Sequence, residues 1–321
     1  MDHSSYQDLL ICPQCRSALS FSNNMYSCTN SNCGSSYPVF FDIPVMIPKS
    51  NESFTQSDFA IKEPPDIFFK QYKNPVIRFL KKIRPDITLN YTSKINYTDI
   101  AKRLSTKEQP RILIIGGSFD GNGIRTLKEN LPPNTVLIES DVAHGPNTSI
   151  IFDSHYIPFR DNSFDLVIAQ AVLEHVLDPF ICVGEIHRVL KPGGMVYAET
   201  PFMQQVHGGK YDFHRFTHLG HRRLFRHFAE IKSGVVAGAG SSLAWALRYF
   251  ILSFAPNKKI DKVLSYISCF LVFWIKYFDY FTNHTKGTLD SACGYYFCGE
   301  KQEGYLLSDK ELLSQYQGYR S

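Results

Sequence analysis

The sequence has no low-complexity tract and no internal repeat. Its 321 residues are 44% hydrophobic and 20% charged, the balance of a folded protein with room for one large domain and a small module. The amino terminus lacks the basic-then-apolar pattern of a secretory signal. We therefore expect a globular protein of the cytoplasm.

Two further absences indicate which molecules the protein binds and whether it crosses a membrane. The net charge of +4 is not gathered into a basic face, and Arg16 is nearly alone among the first 48 residues. This argues against nucleic acid as a partner. The uncharged aromatic run at 263–275 is shorter than the roughly 20 residues that cross a bilayer. No transmembrane helix is expected there.

Of the eight cysteines, four lie close together near the amino terminus. Cys12 and Cys15 form one pair, and Cys28 and Cys33 form a second, wider pair. Two thiolate pairs on two turns supply the four ligands of a closed, tetrahedral zinc site, which stabilises a small fold and does no chemistry. The alternatives are four incidental reduced cysteines or a disulfide. We predict a structural zinc ion bound by these four residues.

The segment around these cysteines resembles the Trm112-like zinc ribbon. The resemblance covers residues 8–48 and includes the ending YPVFFDIPVM. Apolar stretches at 18–21 and 37–40 flank the cysteine pairs and are predicted to be strands. Modules of this kind occur alone as methyltransferase activators and also fused to the front of bacterial methyltransferases. We assign residues 1–48 to a zinc ribbon.

Residues 49–109, which are polar and interrupted by prolines, are predicted to form a linker that covers a cofactor pocket with short helices, one of them at 75–83. The basic cluster at 81–84 is either a solvated face or a contact to an anionic substrate.

A short β-branched run at Arg111–Ile115 is followed at once by a glycine-rich turn. A continuous apolar run predicts a buried parallel strand, and glycine at its carboxyl end lets backbone N–H groups approach a ligand. Further apolar runs, separated by helical stretches, occur at 135–138, 149–152, 166–169 and 195–199. This alternation predicts an α/β domain at 110–301, with a parallel sheet and helices on both faces.

Acidic residues follow two of these runs, and they predict an adenosine cofactor. Glu139 and Asp141 come after the second strand, about 20 residues beyond the glycine turn, where a carboxylate accepts hydrogen bonds from ribose hydroxyls. Asp153 comes after the third strand. A nicotinamide dehydrogenase would need the pattern G-x-G-x-x-G, and no glycine triplet here has that spacing.

The segments DNSFDLVIAQAVLEHVLDP (161–179) and EIHRVLKPGGMVYAETP (185–201) resemble class I S-adenosylmethionine-dependent methyltransferases of the methyltransferase type 11 group. The resemblance extends over 111–201. It implies a seven-stranded Rossmann-like sheet whose last strand is antiparallel, with a tight turn at 191–194 before the fifth strand. It also implies S-adenosylmethionine as the cofactor, with Asp153 at its adenine edge. The predicted cofactor-binding residues are Gly116, Gly117, Ser118, Asp120, Gly121, Glu139, Asp141, Asp153, Ser154 and Gln170.

One position departs from the pattern of that group. The acidic residue that the group places near the methionine end of the cofactor is replaced by Ile114. We expect either that Asp120 supplies a carboxylate from further along the loop, or that backbone carbonyls and Gln170 meet the methionyl ammonium group. The departure also keeps open a non-catalytic relic that binds the cofactor or a partner.

Candidates for proton transfer follow the fourth and fifth strands. Methyl transfer depends mainly on alignment, and a hydroxyl or amine acceptor also needs a base. We predict His214 as that base, oriented by Asp212, and His175 as a further contact to cofactor or acceptor. The predicted substrate-binding residues of the lid segment at 207–217 are Arg215, Tyr211 and His207, and Thr217 at its end is predicted to cap a helix. The alternative for each residue is a packing role within a salt-linked loop.

The carboxyl-terminal third is predicted to complete the sheet with strands at 231–237 and 295–299, followed by a tail at 302–321. An insertion at 241–290 carries two apolar aromatic helices. The insertion is either a buried lid or dimer face, or a surface that meets a lipid-linked or membrane-held acceptor. We expect O- or N-methylation of a small molecule or glycan. The alternative is an rRNA base methyltransferase, because such enzymes also carry a cysteine zinc site.

Overall fold

The structure is a computed structural model that describes residues 5–61, 79 and 82–320. Its amino-terminal sheet consists of β1 (Leu19–Ser22), β2 (Met25–Cys28), β3 (Ser36–Phe40) and β4 (Ile43–Pro44). Neighbouring strands of this sheet are antiparallel and follow one another in chain order. The predicted strands at 18–21 and 37–40 are confirmed. One cysteine pair precedes β1, and the other spans the end of β2 and the turn after it.

The larger sheet contains seven strands. They are β5 (Arg111–Ile115), β6 (Val136–Asp141), β7 (Ile150–Ile151), β8 (Phe164–Gln170), β9 (Leu190–Pro201), β10 (Ala229–Ala237) and β11 (Gly294–Glu300). Their order is β10-β11-β9-β8-β5-β6-β7, and every pair is parallel except the two that β11 makes. The predicted α/β sheet with an antiparallel last strand is confirmed. The carboxyl ends of β5 to β9 meet at one edge.

Helices connect these strands and cover the sheet. They are α1 (Thr92–Leu104), α2 (Ile124–Glu129), α3 (Pro179–Val189), α4 (His218–Leu224), α5 (Ala239–Leu252), α6 (Lys258–Val272), α7 (Asp279–Thr282), α8 (Lys286–Ser291) and α9 (Asp309–Ser314). Thr217, predicted to cap a helix, accepts a hydrogen bond from the N–H of Gly220 at 3.1 Å and so begins α4.

Alternate residues of the central strands belong to two separate hydrophobic cores. In β5, Leu113 and Ile115 pack with α3 and α4, whereas Ile112 and Ile114 pack with α1 and α2. Successive side chains of a strand point to opposite faces, so an uninterrupted apolar run fills both cores at once. Helices therefore lie on both faces of the sheet, as predicted.

The amino-terminal sheet continues the edge of the larger sheet at β7. Val45 forms a parallel bridge with Ile151, and the N–H of Met46 donates to the carbonyl of Ile151 at 2.8 Å. A salt bridge of 3.1 Å joins Arg16 to Glu185 of α3. Buried side chains of the two sheets form one common hydrophobic cluster. The small module is therefore packed into the domain.

The tight turn predicted at 191–194 is present as a bulge near the start of β9, which begins at Leu190. Leu190 lies opposite Phe164 of β8 and Met195 lies opposite Leu166, so the four residues between them face a single residue of β8. Gly193 has a left-handed φ of 73°, and backbone hydrogen bonds of 2.8 Å join Gly193 and Gly194 to Lys301.

The helix predicted at 75–83 lies mostly outside the described residues. Of the basic cluster at 81–84, residues 82–84 are described and all three are exposed.

The insertion packs through a buried carboxylate at the start of α7. Asp279 is fully buried and accepts hydrogen bonds from the backbone N–H groups of Gly238, Gly240 and Ser241, which begin α5. Within residues 82–320, the helical stretch Lys258–Thr282 is long and apolar enough to cross a membrane by length and composition, with 28% of its apolar window buried. The absence of a transmembrane helix stays a prediction.

Candidate active site and metal centre

The turn after β5 brings exposed backbone to the carboxyl edge of the sheet, where ligands bind in open α/β folds. Gly116 has a φ of 73°, and a Cβ atom there would lie 2.5 Å from Cγ2 of Val172, so only glycine fits. At the end of the neighbouring strand β8, Ala171 also has a left-handed φ of 55°. Gly116 and Ala171 are both exposed. Main-chain groups therefore border this part of the edge, as a cofactor loop requires.

The carboxylates at the end of β6 lie beside this turn. Asp141 accepts hydrogen bonds from the N–H groups of Ser118 at 3.2 Å and Val142 at 2.7 Å, and burial raises its pKa above the ordinary value. Glu139 lies 2.8 Å from Nζ of Lys128. Burial raises the pKa of Glu139 by more than the lysine lowers it. The structure thus brings together Ser118, Glu139 and Asp141, three of the predicted cofactor residues.

Asp120 is held on the β6 side of the loop. Its Oδ1 lies 2.6 Å from Nζ of Lys128 and accepts a hydrogen bond from Nδ2 of Asn147 at 3.1 Å. Lys128 therefore pairs with both Asp120 and Glu139, while Ile114 is buried in a hydrophobic core. Its two partners thus hold Asp120 beside β6, and its role as the replacement for the missing carboxylate stays a prediction.

Asp153 and Ser154 lie after β7, where the resemblance places the adenine end of the cofactor, and both are buried. The carboxylate of Asp153 accepts hydrogen bonds from the N–H of His155 at 3.0 Å and from Nδ2 of Asn51 at 2.7 Å. Burial raises the pKa of Asp153, but the bonds from His155 and Asn51 outweigh it, and the pKa stands below its ordinary value. Since Asn51 lies at the start of the linker, just after the amino-terminal sheet, the linker reaches this part of the site.

A buried carboxylate that the sequence reasoning missed lies at the end of β9. Glu199 accepts hydrogen bonds from the side chains of Ser93, Asn90, Tyr197 and Gln170. Burial raises the pKa of Glu199, and the four bonds act in the opposite direction. The available signal was an acidic residue at the carboxyl end of an apolar strand, the same signal that identified Glu139.

Gln170, predicted to contact the cofactor, is part of this network. Its Nε2 donates to the carbonyl of Asn122 and to Glu199, both at 3.0 Å, and its Oε1 accepts from the hydroxyl of Tyr97 at 3.3 Å. A Cβ atom on Gly121 would lie 2.2 Å from that Oε1, so the glycine loop packs directly on the amide. The side chain of Gln170 therefore ties the loop to α1 and β9.

The lid segment at 207–217 is organised by Asp212. Its carboxylate accepts hydrogen bonds from the N–H groups of His207 at 2.7 Å and Gly208 at 3.1 Å, and it forms a two-pronged salt bridge with Arg215. Burial raises the pKa of Asp212, but Arg215 and the two N–H groups lower it far more. Asp212 is thus a structural anchor of the lid.

His214 is not paired with Asp212 as predicted, and the substrate contact predicted for Arg215 stays a prediction. Nε2 of His214 lies 3.2 Å from the carbonyl oxygen of Leu177, and its ring stacks on Phe216. Arg215 also donates to the carbonyl of Gln204 at 2.7 Å, so its guanidinium is engaged within the lid. The predicted pairing of Asp212 with His214 is wrong, because Arg215 takes the carboxylate.

Three predicted residues do come together at the end of β8. Nδ1 of His175 lies 2.6 Å from the carbonyl oxygen of Tyr211, and the rings of His175 and His207 meet edge to face with centroids 5.0 Å apart. Tyr211 stacks on Phe54 of the linker, 6.1 Å between centroids. The buried side chain of Glu174 approaches both histidines, although the sequence reasoning did not single it out.

The four cysteines near the amino terminus converge on one point. Their Sγ atoms lie within 4.8 Å of one another, with 3.8 Å between Cys12 and Cys33 and 3.4 Å between Cys15 and Cys28. Thiolates about 2.3 Å from a tetrahedral zinc ion are about 3.8 Å apart. The cluster therefore fits the predicted ion, and its four thiols are free of disulfides.

A family model described as "Methyltransferase domain" matches residues 113–198. These residues run from β5 into β9 and carry the glycine turn, the acidic strand ends and the segment Leu173-Glu174-His175. The match covers just over a quarter of the chain. Together with the seven-stranded sheet, it supports a class I S-adenosylmethionine-dependent methyltransferase domain in this protein.

Known proteins match shorter or more divergent parts of the chain. Demethylmenaquinone methyltransferase of Staphylococcus epidermidis is 42% identical over 67 residues, 19% of this chain and 28% of that protein. The mitochondrial arginine-hydroxylase NDUFAF5 of Mus musculus is 38% identical over 58 residues, 18% of this chain and 16% of that protein. The matched part is therefore less than a third of either relative.

Among solved structures, phosphoethanolamine N-methyltransferase 2 of Haemonchus contortus in complex with S-adenosyl-L-methionine is similar at a TM-score of 0.42. The two chains are 18% identical, and the similarity covers 65% of this chain and 53% of that one.

Proposed function

We propose that this protein is an S-adenosylmethionine-dependent methyltransferase that acts on a small-molecule or glycan acceptor. The observation that carries the proposal is the match at 113–198 to a methyltransferase domain, on a sheet whose predicted cofactor residues share one edge. When bound, S-adenosylmethionine supplies an electrophilic methyl group on a positively charged sulfur.

The cofactor is proposed to bind along the carboxyl ends of β5 to β8. The exposed backbone around Gly116 and Ala171 would face its methionine part, because these main-chain groups border the edge without bulky side chains. Glu139 and Asp141 would accept hydrogen bonds from the ribose hydroxyls. Asp153, a buried carboxylate with a lowered pKa, would accept from the adenine amino group.

The acceptor is proposed to bind beneath the lid segment. In the transfer, the acceptor oxygen or nitrogen forms a bond to the methyl carbon while the carbon–sulfur bond breaks, and the acceptor proton leaves to a base. His214 suits that role, because an imidazole nitrogen 3.2 Å from the Leu177 carbonyl must donate from Nε2, which leaves Nδ1 to accept a proton.

The acceptor class is tested with methyl-labelled S-adenosylmethionine and three substrates: a phenolic isoprenoid quinol, a lipid-linked glycan and ribosomal RNA. We expect label in one of the first two, and a His214→Ala variant with lower turnover but unchanged cofactor affinity. Label only in RNA would favour the ribosomal alternative, and equal loss of turnover and affinity would assign His214 a structural role.

The four-cysteine cluster is proposed to be the structural zinc centre of a Trm112-like ribbon. The converging thiols support it, as does the way the module packs on β7 and places Asn51, just after it in the linker, against Asp153. In this proposal, the ion holds the two turns together and the ribbon supports the adenine end of the site. The zinc content of the purified chain, measured beside a Cys28→Ser variant, tests it.

We also propose that the insertion contacts the surface of a membrane. Large apolar side chains are exposed along it, with exposed fractions of 63% for Phe250, 68% for Phe254, 57% for Leu271, 52% for Trp274 and 81% for Phe281. Large apolar side chains exposed in such number on one segment favour an interaction surface. Three exposed lysines, Lys258, Lys259 and Lys262, stand at the start of α6 and complement anionic headgroups.

The proposed contact is peripheral. Lys276 donates a hydrogen bond to the carbonyl of Asp86 at 2.7 Å, and Asp279 accepts hydrogen bonds from the N–H groups at the start of α5. A helix that crossed the bilayer would lose both contacts. The protein would therefore work in the cytoplasm, at the membrane face, on a lipid-held acceptor.

Vesicle flotation tests this contact. We expect the protein to float with phosphatidylcholine vesicles that contain phosphatidylglycerol, and to float less when Trp274 and Phe281 are replaced by alanine. Phe21→Ala, an exposed aromatic of the amino-terminal sheet, is the control and should change nothing. Failure to float, combined with a dimer in analytical ultracentrifugation that the double variant disrupts, would favour the dimer face instead.

A further inference from the structure

The carboxylate of Glu174 is buried without the partners that a buried charge needs. The residue follows β8 and has an exposed fraction of 0%. Neither of its oxygens has a hydrogen-bond partner among the residues that the structure describes. An isolated carboxylate in such a place is costly, and buried charges are normally paired or bound to a metal ion. The geometry therefore points to a ligand for Glu174.

Two histidines face this carboxylate from different segments of the chain. Oε1 of Glu174 lies 3.8 Å from Nε2 of His175 and 3.7 Å from Nε2 of His207, beyond hydrogen-bond distance in both cases. One ligand atom from each of the three residues lies within 4.8 Å of the others. Ligand atoms about 2.1 Å from a common metal ion are about 3.0–3.6 Å apart. A closing of a few tenths of an ångström would bring the three atoms onto one ion.

The other nitrogen of each imidazole is held by the lid. Nδ1 of His175 lies 2.6 Å from the carbonyl oxygen of Tyr211, and Nδ1 of His207 lies 3.3 Å from the carbonyl oxygen of Gln205 and 3.5 Å from Asp212. This is how metal-binding histidines are usually oriented: one nitrogen donates to a carbonyl or carboxylate, and the other presents its lone pair to the ion.

We propose that Glu174, His175 and His207 form a binding site for one divalent transition-metal ion. Two imidazoles and one carboxylate suit zinc, iron(II), cobalt(II) or manganese(II), and they leave coordination positions open. His207 is partly exposed and Glu174 is buried, so the open positions face the space under the lid. This site is separate from the four-cysteine cluster, whose thiols close the coordination of their ion.

The role of the ion rests on the proposed methyltransferase function. An acceptor hydroxyl or phenol that coordinates the ion has a lowered pKa, because the positive charge stabilises the oxyanion. It then gives its proton to water or a nearby base and forms the bond to the methyl carbon as the carbon–sulfur bond breaks. The substrate class this favours is an acceptor with a hydroxyl or phenol oxygen.

Cobalt(II) titration of the full-length chain tests the site without any need for methyl transfer. We expect one equivalent of cobalt(II) to bind with the weak visible absorption that is typical of nitrogen and oxygen ligands. Any cobalt(II) in the four-cysteine cluster is recognised separately by its thiolate charge-transfer band. His207→Ala and Glu174→Gln should weaken this binding at least tenfold. His227→Ala, an exposed histidine outside the lid, should leave it unchanged.

Three outcomes would overturn the site: binding with thiolate character only, no binding by a folded chain at millimolar cobalt, or unchanged binding by both ligand variants. Circular dichroism and melting curves on each variant separate the loss of a ligand from loss of the fold. Failure of cobalt binding leaves the methyltransferase proposal intact, whereas failure of S-adenosylmethionine binding removes that proposal without touching the metal site.

Discussion

Replacing Glu199 with alanine is expected to destabilise the domain strongly. Four side-chain donors converge on this carboxylate: Ser93 and Asn90 from the α1 region, Gln170 from β8 and Tyr197 from β9 itself. Ser93 and Tyr197 are buried, and each buried donor left without a partner costs about 1–3 kcal/mol. We therefore expect Glu199→Ala to lower the free energy of unfolding by about 4 kcal/mol.

Glu199→Gln separates the loss of charge from the loss of the hydrogen bonds. Its amide oxygen can face Gln170 and Asn90, whose amide N–H groups can only donate. Its N–H₂ group then faces the hydroxyls of Ser93 and Tyr197, which can rotate to accept. All four contacts persist in a neutral form, so we expect a smaller loss of about 1–2 kcal/mol.

Urea denaturation followed by circular dichroism measures both variants, with Glu108→Ala as an exposed-carboxylate control that should be neutral. A loss below about 1 kcal/mol for the alanine variant would refute the network as a stabilising element. Equal losses of unfolding free energy in the alanine and glutamine variants would show that the charge of Glu199, and not its hydrogen bonds, stabilises the contact between α1 and β9.

Three further predictions concern the zinc cluster, a buried histidine and the glycine turn. Cys12→Ser should remove bound zinc and make the amino-terminal sheet sensitive to proteolysis, since so small a sheet depends on the ion; an intact, zinc-containing variant would argue against it. His221 is buried, and burial together with His218 lowers its pKa to about 3. Above about pH 6.5 this histidine is neutral in the folded and in the unfolded chain. Below that pH only the unfolded chain takes up the proton, so the free energy of unfolding decreases as the pH falls. The decrease is about 2 kcal/mol between pH 6.5 and 5. His221→Phe should flatten this loss in urea titrations at the two pH values, and an unchanged slope would assign it to other groups. Gly116→Ala places a Cβ 2.5 Å from Val172 at a left-handed φ, and it should cost about 1–3 kcal/mol and weaken S-adenosylmethionine binding in calorimetry. A neutral effect would mean that the turn relaxes freely.

The fold was largely predictable because its strands are apolar runs that are followed by glycine or end in acidic residues. The run at Arg111–Ile115 ends in glycine and β6 ends in carboxylates, and both features are local. The surroundings of the turn at 191–194 were not predictable in the same way. Lys191-Pro192-Gly193-Gly194 has the composition of a turn and forms one, but nothing local shows that its backbone pairs with Lys301, over a hundred residues away.

The candidate site was predictable in its location and less so in its contacts. The carboxyl ends of parallel strands must meet, so the grouping of Ser118, Glu139 and Asp141 followed from the sequence. The partner of Asp212 did not, because three ionisable residues within four positions offer several pairings and only the backbone path of the lid selects Arg215. Glu174 was overlooked because nothing local shows that its carboxylate is buried without partners.

Calorimetric titration of S-adenosylmethionine into the full-length protein tests the central claim most directly. We predict saturable binding of one molecule per chain, reduced by Gly116→Ala and by Asp141→Asn, and competed by S-adenosylhomocysteine. A folded protein that takes up no S-adenosylmethionine at millimolar concentration would contradict the claim that the edge between β5 and β8 is a methyl-donor site.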